Sequence, residues 1–73
     1  GEETVLSFYD DKNGDIWIGT DGNGIHLFDT KTTSFKHFPS ASDKKVTSIT
    51  RLNDNELLIG LYKEGLMRFN KTF

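Results

Sequence analysis

The chain has 73 residues and no cysteine, and its 9 basic against 11 acidic side chains leave a net charge of −2. Charges that balance and alternate along the chain provide no basic stripe for DNA or RNA. No apolar run approaches the roughly 18 residues of a membrane-spanning helix, and without cysteine there is neither a disulfide framework nor a thiolate metal site.

In chain order, Thr4-Val5-Leu6-Ser7-Phe8-Tyr9 is β-branched and aromatic and reads as a first strand. Asp10-Asp11-Lys12-Asn13-Gly14 follows, with Asn13-Gly14 expected to supply the positive φ angles of a tight hairpin turn. Ile16-Trp17-Ile18-Gly19-Thr20 is the second strand, and Asp21-Gly22-Asn23-Gly24 the next turn. Ile25-His26-Leu27-Phe28 and Phe35-Lys36-His37-Phe38 are the third and fourth strands, and Pro39 to Lys45 reads as a polar connector. Further strands are expected at 46–52, 56–61 and 66–69. No stretch holds a 3.6-residue apolar stripe, so no helix is expected.

The second group of strands repeats the first. Moving positions 5–31 up by 41 places them without a gap on 46–72. Val5/Val46, Ser7/Ser48, Ile18/Ile59, Gly19/Gly60, Gly24/Gly65 and Phe28/Phe69 are then identical, and Phe8/Ile49, Ile16/Leu57 and Ile25/Leu66 keep their chemistry. A period near 40 residues is that of stacked repeat units such as propeller blades. Ile16-Trp17-Ile18 and Leu57-Leu58-Ile59 do not alternate with polar residues, so both faces of the inner strands are expected to be covered. Radial packing of four-stranded sheets does this, whereas a two-layer sandwich leaves one face of each sheet polar. The predicted fold is all-β, about two blades of a β-propeller built from four-stranded antiparallel sheets. Blade 1 with its connector would occupy 1–45, and a three-stranded, incomplete blade 2 would occupy 46–73.

The pattern V-x-S-x-x-x-D-x-x-G-x-I-W-I-G-T-x-x-x-G-I-x-x-F-D, running from Val5 to Asp29, resembles the two-component regulator propeller repeat. The second copy is degenerate, with Leu58 for Trp17, Leu61 for Thr20 and Asn55 for Gly14. That repeat is similar to those filling the periplasmic sensor region of hybrid two-component histidine kinases of Bacteroidetes. The resemblance implies a non-catalytic scaffold segment of a ligand-sensing propeller, with the parent anchored in the inner membrane and responsive to oligosaccharides. Its partners would be neighbouring blades of the parent receptor, with no nucleic acid and no membrane contact by this segment.

Candidate chemistry fares poorly at each place it is sought. Asp11, Asn13 and Asp15 offer oxygens at the first, third and fifth positions of a calcium loop, but its sixth position is Ile16 and its twelfth is Gly22, not a bidentate glutamate. Asp21-Gly22-Asn23-Gly24 has no following lysine and leads into a strand, so it does not read as a phosphate loop. His26 and His37 lie on different strands with no third ligand in an obvious cluster, and His26 aligns with Met67, which suggests packing. Ser7 and Ser48 lie inside strands, where a nucleophile would not be strained and exposed, and are read as small residues at a close approach of sheets. Trp17, at the centre of an apolar strand, is read as core instead of a sugar-stacking platform. No catalytic residue, cofactor or metal is expected, and the ligand-binding residues are unknown. A cytosolic protein-interaction propeller and a propeller-fold lyase or glycosidase are the alternatives. The first lacks the expected Trp-Asp and Gly-His marks and the second lacks converging acids.

A compact globule of this mass would bury roughly 7,500 Å² on folding, which at about 60% apolar and ~25 cal/mol per Å² contributes about 110 kcal/mol. Ordering the chain at ~1.5 kcal/mol per residue costs about as much. Two open blades bury less than a globule, so the isolated chain is expected to associate with copies of itself. Val5, Leu6, Phe8, Ile16, Ile18, Leu57, Ile59 and Leu66 are the residues expected to be presented for covering.

Overall fold

In the computed structural model, which describes residues 4–71, the chain is all-β. Five strands pair antiparallel in chain order: β1 (Val5–Asp10), β2 (Asp15–Asp29), β3 (Ser34–Asn53), β4 (Glu56–Leu61) and β5 (Gly65–Asn70). No helix occurs among the described residues. The last aligned position of the repeat, residue 72, lies outside them.

Five continuous strands stand where seven were expected, because two strands fold back without leaving the hydrogen-bond ladder. Drawn out straight, the 15 residues of β2 would span about 50 Å at ~3.3 Å each. The longest dimension of the molecule is only 34 Å. β2 therefore turns on itself at Gly22 (φ 91°) and Gly24 (φ 76°), and Thr30 N–H, just beyond its end, donates to Gly14 O, just before its start, at 2.8 Å. The 20-residue β3 likewise bends, at register shifts and at Ala41 (φ 61°) and Asp43 (φ 68°). The supposed polar connector is thus strand: Lys45 pairs with Asp21 and Ser42 with Asn23. Pairing passes from β2 to β4 between Lys45 and Val46.

The expected repeat appears in the register itself. Val5↔Thr20, Ser7↔Gly19, Phe8↔Ile18, Tyr9↔Trp17 and Asp10↔Ile16 in blade 1 become Val46↔Leu61, Ser48↔Gly60, Ile49↔Ile59, Thr50↔Leu58 and Arg51↔Leu57 in blade 2. Each partner moves by 41, and both ladders carry a bulge at the same place, after the valine. The backbone bonds outside the ladders repeat too. Asp21 N–H donates to Thr4 O and Tyr62 N–H to Lys45 O, both at 2.9 Å; the Thr30–Gly14 bond recurs as Lys71 N–H to Asn55 O at 2.8 Å. Sequence differences between the copies are absorbed by side chains, with the backbone path kept.

Turn geometry departs from expectation in one respect. In the loop after β1 the positive φ angles fall at Lys12 (62°) and Gly14 (97°), not at Asn13. The loop is closed instead by side chains: Asp10 Oδ1 accepts Lys12 N–H at 2.8 Å and Asn13 Oδ1 accepts Asp15 N–H at 3.1 Å. Such local acceptors hold a longer turn than the two-residue hairpin the Asn-Gly pair suggested.

The core lies between the blades. Trp17 and Ile25 of blade 1 meet Val46, Ile49, Leu57, Ile59 and Phe69 of blade 2 in one buried cluster. The Trp17 ring centroid lies 5.7 Å from that of Phe38 and 5.5 Å, edge-on, from that of Phe69; Phe38 and Phe69 are themselves 5.4 Å apart. Trp17 is core, as expected. Its indole N–H, buried, finds no acceptor among the described residues.

Candidate functional site: two open blade faces

Side chains directly opposite one another in a ladder share a face. On blade 1, Ser7, Trp17 and Gly19 share the face turned to blade 2, while Phe8, Asp10, Ile16 and Ile18 share the other. On blade 2, Ile49, Leu57 and Ile59 are turned to blade 1, while Ser48, Thr50, Leu58, Gly60, Leu66 and Arg68 face away.

Exposure follows these faces and not residue type. Val46, Ile49 and Ile25 are 0%, 7% and 0% exposed, while their equivalents Val5, Phe8 and Leu66 are 44%, 65% and 71% exposed. Each pair occupies the same place in its blade, and only one member has a neighbouring blade to cover it. Of the eight residues expected to lie open, Val5, Leu6, Phe8 and Leu66 do, and Ile16 and Ile18 are half-buried. Leu57 and Ile59 do not: blade 1 covers them completely.

The covered interface is close. Ser7 Oγ donates to Val46 O across the blades at 2.8 Å, which is the tight approach expected of that serine. A Cβ on Gly19 would lie 2.9 Å from Val46 Cβ and closer still to Val46 Cγ1 and Ser7 Oγ. Only glycine leaves room for the valine there. A Cβ on Gly60, the equivalent position, would be crowded only by Ser48, to which its three nearest atoms all belong, the third already at 3.8 Å.

An ion pair clasps the same interface. Lys71 Nζ lies 2.8 Å from Asp11 Oδ2, and the two side chains are largely buried. The carboxylate offered as a calcium ligand is thus engaged by an amine 60 residues away, and the Asp10 and Asn13 oxygens are occupied by backbone N–H groups of their own loop. Sequence reading missed this pair; the repeat aligns Asp11 with Leu52 and Lys71 with Thr30, so neither charge recurs and nothing local connects the two.

His26 and His37 are brought together, as directly paired residues with ring centroids 4.7 Å apart. His37 Nε2 lies 2.9 Å from Asn23 O. No group of three His, Cys, Asp or Glu side chains able to hold a metal occurs among the described residues. The Asp21 to Gly24 segment is a turn fastened by Thr20, whose buried hydroxyl donates to Gly24 O at 2.8 Å and accepts Asn23 N–H at 3.1 Å. Ser48, equivalent to Ser7, is exposed on the open face of blade 2.

At the mouth of the turn between β3 and β4, Glu56 accepts from Arg68 Nη2 at 2.6 Å and Nε at 3.1 Å, and from Asn53 Nδ2 at 2.9 Å. The Arg68 hydrogen bond, followed by that of Asn53, holds the Glu56 carboxyl below its ordinary pKa, and the same bond raises that of Arg68. Among the described residues no helix is long and apolar enough to cross a membrane.

Residues 1–22 match the family described as Two component regulator propeller. Comparison with curated proteins and with solved structures gives no match. The matched stretch ends at Gly22, covering β1 and the first arm of β2, whereas the resemblance read in the residues ran on to Asp29. What the structure adds is that this matched unit recurs, strand for strand, as the second part of β3 with β4. The chain is an all-β pair of propeller-blade sheets whose first 22 residues are similar to the two-component regulator propeller repeat.

Proposed function

We propose that the chain supplies two adjacent blades of the ligand-sensing propeller of a two-component regulator. The observation that carries this reading is the match over residues 1–22, falling on the strand pair that the register repeats 41 residues later. Its contribution is shape: Trp17, Phe38 and Phe69 lock one blade on the next, and no bond-making residue is required of it. The larger protein is a hybrid sensor histidine kinase, anchored in the inner membrane with its propeller in the periplasm and responsive to an oligosaccharide. Flanking blades of that receptor cover the open faces.

An antibody against the chain tests this in the cells that make it. The antigen should migrate far above 8.3 kDa, fractionate with the inner membrane, and become protease-accessible once the outer membrane alone is permeabilised. A soluble cytosolic antigen would overturn the reading. Arrayed oligosaccharides presented to the purified receptor would then identify the ligand class.

A further inference from the structure

The two open faces are the two halves of an interface that the chain already makes once. Blade 1 turns Ser7, Trp17, Gly19 and Ile25 to Val46, Ile49, Leu57 and Ile59 of blade 2. Add 41 to the first set and the result is Ser48, Leu58, Gly60 and Leu66, the open face of blade 2. Subtract 41 from the second and the result is Val5, Phe8, Ile16 and Ile18, the open face of blade 1. We infer that the 73-residue chain docks head to tail on a second copy of itself, the Val5/Phe8 face of one seated on the Leu58/Gly60/Leu66 face of the next. This inference concerns the chain alone and does not rest on the signalling reading.

The fit is specific at three points. Gly60 carries the space for Val5 that Gly19 carries for Val46, and only the Ser48 side chain crowds it. Ser48 Oγ stands where Ser7 Oγ stands to donate across the blades, so its acceptor is the Val5 carbonyl of the neighbour. Phe8 takes the place of the buried Ile49, and Leu66 that of the buried Ile25. The copied interface is weaker than the internal one. Thr50 and Arg68 replace Tyr9 and Leu27 in it, and Leu52 and Thr30 stand in place of the Asp11–Lys71 clasp.

An interface between unlike faces is heterologous: each docking leaves one face of each kind free, and growth stops only when a ring closes. Copies that paired through one like face alone would instead stop at a dimer. The difference gives the experiment. Light scattering on the purified chain at about 100 μM should return a discrete multiple of 8.3 kDa greater than two. Phe8→Glu and Leu66→Glu, both at exposed positions, should each reduce the mass to 8.3 kDa while the emission of buried Trp17 stays blue-shifted. Mixed in equal amounts they should form a dimer of 16.6 kDa (twice 8.3) and nothing larger, because one variant keeps an intact blade 2 face and the other an intact blade 1 face. Val5→Lys and Leu58→Glu serve as second variants on the two faces if either glutamate disturbs folding. A folded wild-type monomer at 100 μM, assembly by either single variant, or a mixture that remains monomeric would overturn the inference.

Discussion

Gly19→Ala and Gly60→Ala place the same methyl group at the same position of two equivalent blades, and the structure assigns them opposite outcomes. Neither glycine has a positive φ angle. Alanine therefore costs no backbone strain at either site and should gain about 0.4–1 kcal/mol by restricting the unfolded chain. At Gly60 the new Cβ meets chiefly the Ser48 hydroxyl, which can rotate away, with Ser48 Cβ at an ordinary 3.4 Å. At Gly19 it lies 2.9 Å from Val46 Cβ, an atom that no side-chain rotation moves, in a fully buried β-branched residue whose χ1 is restricted. Overpacking of this kind costs about 1–3 kcal/mol. The net expectation is a loss of about 1–2 kcal/mol for Gly19→Ala and no loss for Gly60→Ala. In a chain of this size that is a fall in Tm of roughly 4–16 °C for the first. Thermal melts followed by Trp17 fluorescence, at concentrations low enough to keep the chain single, measure both. Equal Tm values for the two variants would mean that the blades do not approach at Gly19 as described.

Lys71→Met leaves the Asp11 carboxylate buried without its cation and should cost about 2–4 kcal/mol by urea denaturation, whereas Asp11→Leu with Lys71→Met together should recover most of that loss. Thr20→Val strips the Gly24 carbonyl and the Asn23 N–H of their common partner, at about 1–3 kcal/mol in the same assay. The pH dependence has a definite sign. The folded Glu56 pKa is depressed by Arg68, so its stabilising contribution is fully present above the unfolded glutamate value of about 4.3 and is lost as pH falls through the lower folded value. Acid titration of Tm should therefore be flatter below about pH 4.3 in Arg68→Met than in the wild type.

The repeat was legible because it is written in identities: Val5/Val46, Ser7/Ser48 and Gly19/Gly60 keep one register, and that register is the one the two ladders share. Trp17 as core followed from its apolar neighbours along the strand, while the close approach read at both Ser7 and Ser48 is met at Ser7 alone, Ser48 being exposed with no blade beside it. Burial was only half legible. Ile16 and Leu57 are interchangeable in sequence, yet one is half-exposed and the other fully covered, because covering depends on which side of the blade has a neighbour. The ladder through Pro39 to Lys45 was hidden by composition, since polar residues on an exposed strand look like a connector. Pairing of His26 with His37 was available in principle: an antiparallel hairpin turning at 30–33 sets the two numbers opposite each other. The Asp11–Lys71 clasp was not, because it exists only once the second blade has docked on the first.

That docking is best observed through proton contacts of Trp17 in solution. The two-blade arrangement predicts nuclear Overhauser effects from the Trp17 indole to the rings of both Phe38 and Phe69, whose centroids lie 5.7 and 5.5 Å away. It also predicts backbone contacts of Tyr9 with Trp17 matched by those of Thr50 with Leu58. Effects from Trp17 to Phe38 without any to Phe69, or backbone contacts in blade 2 displaced from the 41-residue register, would contradict it.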